Sequence, residues 1–166
     1  MNKFKSNNLF SIPNVVDSSY MGTSPNTLRI IGVSDVSKRQ NEDFYATDPI
    51  AAEWLLKIEQ LNKNIWECAC GTGSLSKVFE DHGFNVKSTD LIDRGYGTPG
   101  IDFLKCFEKF DGDIVTNPPY ALSTEFIYKA LELVNVGCKV CMFLKVQFLE
   151  GKNRRKLFDE FPPKTV

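Results

Sequence analysis

The chain lacks the raw material for several common chemistries. Its only histidine, His82, precedes the Gly83 helix stop, fits a helix C-terminus where a partly positive ring is favoured, and has no visible catalytic partner. No apolar stretch approaches 20 residues and no signal peptide is seen, which argues against a membrane span. Charge of one sign is not in excess: 20 Lys and Arg against 21 Asp and Glu leave a formal net charge of −1. Binding to nucleic acid through bulk charge is thereby excluded, and any such contact needs a local basic patch. The five cysteines are odd in number and sit in apolar or glycine-turn contexts, which suits a reducing cytoplasm. Cys68-Ala69-Cys70 and Cys138-Lys139-Val140-Cys141 have metal-like spacing only superficially. One pair lies in a turn and the other inside a predicted strand whose residues face alternately, so no metal is expected.

What remains is enough for one domain: 166 residues, 42% apolar, with thirteen phenylalanines to fill a core. Residues 1–40 are rich in Asn, Ser, Pro and Gly, with apolar pairs such as Val15-Val16 and Ile30-Ile31 but no sustained period. They read as an N-terminal extension, with the folded domain over residues 41–166. From Asp48 the pattern changes. Thr47 or Asp48 can cap a helix that has Pro49 at its first position and Ile50, Ala51, Trp54, Leu55 and Ile58 at helical spacing. Ile65 to Ala69 then reads as a buried strand, followed by a Gly71-Thr72-Gly73 turn and a helix through Leu75, Val78 and Phe79. Val86 to Leu91, Asp113 to Thr116 and Lys139 to Leu144 read as further strands, with a helix through Phe126, Ile127, Ala130, Leu131 and Val134 between the last two. Strands alternating with helices predict an α/β fold with an open, mostly parallel, Rossmann-like sheet and its ligands beyond the strands' C-terminal ends.

The most informative residues are Asn117, Pro118, Pro119 and Tyr120, directly after the strand ending at Thr116. Proline fixes φ and biases the preceding residue toward extended backbone, so the Asn117 carboxamide and the Pro118 carbonyl can be held as paired acceptors for one amino group. Tyr120 offers a π-face for a planar base, and such stacking is worth about 1–3 kcal/mol per base. Upstream, Glu67-Cys68-Ala69-Cys70-Gly71-Thr72-Gly73 puts an acid on the first strand and two glycines where backbone passes close to a ligand; a purely structural turn is the alternative. The spacing is not that of a dinucleotide fingerprint, because Ser76 stands three past Gly73, and no Lys-Ser or Lys-Thr comes after it as in a phosphate loop. Asp90 falls seventeen residues after Gly73, where Rossmann-like folds present a carboxylate to ribose hydroxyls, or else caps a helix beginning just beyond it.

Taken together, this set of motifs over residues 44–150 resembles the class I methyltransferases that use S-adenosylmethionine to methylate amino nitrogens, and most closely the phage-type DNA adenine N6 methyltransferases with an Asn-Pro-Pro-Tyr motif. The resemblance implies roles. Glu67 would sit near the cofactor's methionyl ammonium, Gly71 and Gly73 beneath its ribose and sulfonium, and Asp90 on the ribose. Asp102 and the backbone of Phe103 would meet the adenine, with Phe103 as a core residue the alternative. Asp43-Phe44-Tyr45-Ala46-Thr47-Asp48-Pro49 resembles the segment folded over the cofactor's amino-acid end, placing Tyr45 and Thr47 in that pocket; a hydrophobic staple and N-cap is the plainer reading. Asn117 with the Pro118 carbonyl would accept both hydrogens of an adenine N6, freeing its lone pair, and Tyr120 would be the aromatic wall for a flipped base.

The resemblance implies DNA as partner, with RNA adenine or a protein glutamine as other acceptors, and a phage or restriction-modification setting. Lys145, Lys152, Arg154, Arg155 and Lys156 could contact phosphates, though a solvated helix face is the plainer reading of such a run. Enzymes of this class usually have seven strands, with an antiparallel hairpin after the fifth, and here only residues 146–166 come after the Lys139 to Leu144 strand. Leu157 to Val166, broken by Pro162-Pro163, would begin a sixth strand at most. The domain is therefore expected to lack its last strands. That would leave an edge for a partner chain, a second copy or the extension to cover, or a truncated remnant that binds cofactor without turnover.

Overall fold

The computed structural model describes residues 46–166; Tyr45 and the expected extension over residues 1–40 lie outside the described residues. The first helix, α1 (Ile50–Ile58), starts because the Asp48 carboxylate accepts the Ile50 N–H at 3.0 Å and Pro49 holds helical dihedrals of −51° and −30°. Asp48, not Thr47, is thus the cap. The buried face of α1 differs from the expected one. Ala52 is fully buried, with Leu55 and Leu56 packed beside it, whereas Ile50, Trp54 and Ile58 are 52%, 57% and 62% exposed. Apolar residues lie on nearly every side of this helix, so periodicity alone could not choose. The small Ala52 wins because it brings the helix close to the sheet, among Ile65, Leu75, Phe79 and Val115.

Four strands make the sheet: β1 (Asn64–Glu67), β2 (Asn85–Ser88), β3 (Asp113–Thr116) and β4 (Val140–Met142). All are parallel, in the order β2-β1-β3-β4, with Ile65 opposite both Val86 and Asp113, and Ile114 opposite Val140. The described residues therefore adopt an open, parallel, Rossmann-like α/β fold. β1 and β3 are central and buried on both faces, with Ile65, Trp66, Ile114 and Val115 at their middles and the polar Glu67, Asp113 and Thr116 buried at their ends. Ile65 and Val115 point toward α1 and α2 (Ser74–Asp81), and Trp66 and Ile114 toward α3 (Ser123–Leu133), where Phe126, Ala130 and Leu133 complete the second half of the core. Trp66 meets Phe103 edge-on, with centroids 5.3 Å apart, and gives its indole N–H to the Thr89 hydroxyl at 2.9 Å.

Three of the strands are shorter than expected. β1 stops at Glu67 rather than Ala69, β2 stops at Ser88 rather than Leu91, and β4 covers only part of the Lys139 to Leu144 run. Asp90 consequently lies in the loop past β2. There the glycine-rich stretch contributes a single parallel bridge, Thr98 to Thr89, instead of a further strand. At the opposite pole, Asp113 is 2% exposed and accepts from the backbone of Asn62 and of Lys139, both at 2.7 Å, tying the entry of β1 to that of β4.

Downstream of β4 the expected start of a sixth strand is replaced by a short helix, α4 (Arg155–Glu160), and an irregular tail. Arg155 and Lys156 pair one turn on with Asp159 and Glu160 at 3.6 and 3.8 Å, and Leu157 is buried. These i,i+4 pairs favour helix. Pro162 and Pro163 supply no N–H for a ladder beyond it.

Candidate active site

Parallel strands that fan out in opposite directions from β1 leave a crevice at their C-terminal ends, where β1 and β3 part company. The cleft found there is lined by Thr47, Glu67, Asp90, Asp102, Phe103, Asn117, Pro118, Pro119 and Tyr120. Residues from five separate stretches of sequence thus meet at one place. Leu75, Leu91, Ile101 and Arg94 complete its walls; no sequence pattern pointed to these four, since they become neighbours only when the loops close.

Glu67 is 2% exposed and accepts the Ser76 backbone N–H at 2.9 Å, together with the Ser76 hydroxyl, which in turn receives the Ser88 hydroxyl at 2.7 Å. Burial outweighs those hydrogen bonds, and with the nearby charges of Asp90 and Glu80 it pushes the carboxyl up to about 8. Ser76 lies in the first turn of α2, after the left-handed Gly73. In dinucleotide-binding folds a helix N-terminus at this place takes a pyrophosphate. Here one of its amides is engaged by the protein's own carboxyl.

Gly73 has φ +79°, and a Cβ there would come within 2.4 Å of the Tyr96 ring. The need for glycine at this position thus comes from the chain itself, as Tyr96 packs on the turn. Gly71, with φ +57°, donates its N–H to Asp90 Oδ2 at 2.8 Å, while Asp90 Oδ1 accepts from Ile92 at 2.9 Å. No helix begins at Asp90; its carboxylate instead locks the glycine turn to the loop after β2. Each oxygen keeps a second lone pair for a further donor. Asp102 caps the 3-10 turn Phe103–Lys105 through the Leu104 N–H at 3.2 Å and pairs with Lys105 at 3.0 Å. The Phe103 side chain belongs to the core, 2% exposed and 5.0 Å from the Phe126 ring, and both residues line the cleft.

On the other wall, Asn117 comes directly after β3 and gives its amide nitrogen to the Thr47 hydroxyl at 2.8 Å across seventy positions of sequence. The carboxamide oxygen of Asn117 is buried from solvent. Pro119 is extended, at φ −54° and ψ 124°, and opens the 3-10 turn Tyr120–Leu122; the carbonyls of Pro119 and Tyr120 receive Ser123 Oγ. Over the Tyr120 ring lies Lys145, its Nζ 4.6 Å from the centroid. Of the other cations in that run, Arg154 lies over Phe148, Arg155 and Lys156 pair with acids while remaining exposed, and Lys152 is exposed.

No protein-family model matches the chain, and neither does any curated protein. Similar solved structures include TehB from Haemophilus influenzae, with 17% identity, 61% of this chain and 42% of that one covered, and a TM-score of 0.43. A putative RNA methyltransferase from Pyrococcus horikoshii aligns at 19% identity over 61% of this chain and 60% of its own, with a TM-score of 0.45. The PH0226 protein from Pyrococcus horikoshii OT3 aligns at 14% identity over 83% and 70%, with a TM-score of 0.48. The chain spans less than two thirds of the length of the first two. At these scores the likeness bears on neither cofactor nor acceptor.

Proposed function

We propose that the chain is an S-adenosylmethionine-dependent N-methyltransferase whose acceptor is adenine N6 in DNA. The observation that carries this reading is the Asn117 carboxamide, oriented by Thr47 and followed by Pro118, on the wall facing three acids of one cleft. The donor set fits the cofactor: Glu67 for an ammonium, Asp90 for ribose hydroxyls, Asp102 for an exocyclic amine, and apolar walls between them. It does not fit a cofactor carrying phosphate, since acids line the cleft and Glu67 already occupies an amide in the first turn of α2.

Bound there, S-adenosylmethionine would supply an electrophilic methyl group. The chain's own residues prepare the nucleophile. An adenine amino group is a poor one, because its lone pair is delocalised into the ring. Accepting both of its hydrogens, at the Asn117 oxygen and the Pro118 carbonyl, draws the nitrogen toward tetrahedral geometry and frees that pair. Tyr120 holds the base plane, and extruding the base from a duplex costs a few kcal/mol. Catalysis then rests on positioning and electrostatics, with no covalent enzyme intermediate.

The test is calorimetric titration with S-adenosylmethionine of the parent and an Asp90→Ala variant, then methyl incorporation with stoichiometric protein on DNA, RNA and a glutamine peptide. Micromolar binding lost in the variant, with label entering DNA adenine, is the expected result. Label entering RNA or the peptide instead would reassign the acceptor. Binding without transfer to any of the three would leave a cofactor-binding chain that is not an enzyme, and no binding by a folded parent would refute the whole reading.

A further inference from the structure

Beyond the cleft, the segment after β4 holds a small self-supporting assembly that none of the proposed chemistry uses. Lys145 begins the 3-10 turn Val146–Glu150 and its carbonyl accepts the Phe148 N–H at 2.8 Å. Arg154 reaches back over this turn. It donates to the Gln147 carbonyl at 3.1 Å and to the Phe148 carbonyl, and its guanidinium lies 4.3 Å from the centroid of the Phe148 ring. A Cβ on Gly151 would stand 2.5 Å from that guanidinium, so the glycine is what lets it lie flat. Phe158 of α4 packs edge-on to Phe148, with ring centroids 6.0 Å apart. A planar cation fixed by two carbonyls, a ring and a glycine is a brace. The residue standing at the end of the braced turn nearest the cleft is Lys145, over Tyr120.

From this geometry we infer that Lys145 is a specificity-determining residue that selects an acceptor carrying a phosphate beside its base, with Arg154 as the residue that positions it. The inference rests on the reading of Tyr120 as the acceptor's stacking wall. A nucleotide stacked on the face of that ring opposite Lys145 brings its own phosphate round the ring's edge toward the ammonium. A glutamine side chain brings no charge, and the ammonium gives it nothing. Arg154, with both carbonyl contacts made inside the chain, acts through the turn and not on the ligand.

Fluorescence anisotropy with a labelled single-stranded adenine-containing oligonucleotide, across a salt series, tests this without requiring turnover. Lys145→Ala is expected to weaken binding several-fold and to flatten the slope of log K against log salt by about 0.7, the value of one lost phosphate contact on a single strand. Lys109→Ala, the same charge change before β3 at the opposite end of the strands, is expected to leave the slope unmoved. Arg154→Ala should weaken binding, and the double variant should have no flatter a slope than Lys145→Ala alone, because the two act as one unit. Equal slopes for the parent and Lys145→Ala, or no oligonucleotide binding by the parent, would overturn the assignment. Additive slopes for Arg154 and Lys145 would overturn the positioning role and make Arg154 a phosphate contact. Methyl incorporation by the parent is scored separately, so loss of the enzyme reading and loss of this inference give different results.

Discussion

Replacing Glu67 with glutamine gives the most direct test of the site's electrostatics. The folded carboxyl is pushed up to about 8 from an ordinary 4.5, chiefly by burial. Between those two values the native chain holds this proton and the unfolded chain does not, so raising the pH favours the unfolded state. The stabilising contribution is complete below about 4.5 and is lost as pH rises to about 8. At about 1.4 kcal/mol per pH unit, that window amounts to about 5 kcal/mol. Glutamine keeps an oxygen for the Ser76 amide and hydroxyl while removing the titration. In urea unfolding followed by circular dichroism from pH 5 to 9, Glu67→Gln should start near the parent's stability and exceed it increasingly toward pH 8. Groups common to both proteins cancel in the difference. A parent-minus-variant difference that does not change with pH would show that Glu67 ionises normally and would refute the buried, neutral carboxyl.

Three further perturbations test other links. Thr47→Val removes the hydroxyl that orients Asn117 at nearly constant volume; the rate of methyl transfer should fall about ten- to a hundredfold through misorientation, with unfolding little changed, measured by single-turnover kinetics beside a urea curve. Gly73→Ala meets both a left-handed backbone and the Tyr96 ring 2.4 Å away, and should cost about 2–4 kcal/mol in urea, partly restored by adding Tyr96→Ala. On α1, Ala52→Leu should destabilise by about 1–3 kcal/mol through overpacking, whereas Ile58→Ser should stay within about 0.5 kcal/mol, the reverse of what the helix's apolar spacing suggests.

Local rules were enough for the succession of elements. The cap at Asp48, the glycine turn into α2, the stop at Gly83 and the alternation of strands with helices are all nearest-neighbour chemistry. The acid that ends β1, the acid after β2 and the tetrapeptide after β3 could be placed at strand ends for the same reason: in a parallel sheet every C-terminal end faces one way. What the chain order could not state is which of several apolar faces a helix buries, since α1 is apolar almost all round and only the approach distance at Ala52 decides. Nor could it show that Ser76 would engage Glu67, that Tyr96 would fill the space above Gly73, or that Arg154 would be spent inside a turn. Each of these depends on groups well apart in the chain arriving within a few ångströms, and such distances are set by packing rather than by sequence separation. The length of strands belongs to the same class. Ala69, Leu91 and Leu144 are the expected ends of their strands, but a strand ends where its neighbour's hydrogen bonds end, and the neighbours here turn away into the loops that build the cleft.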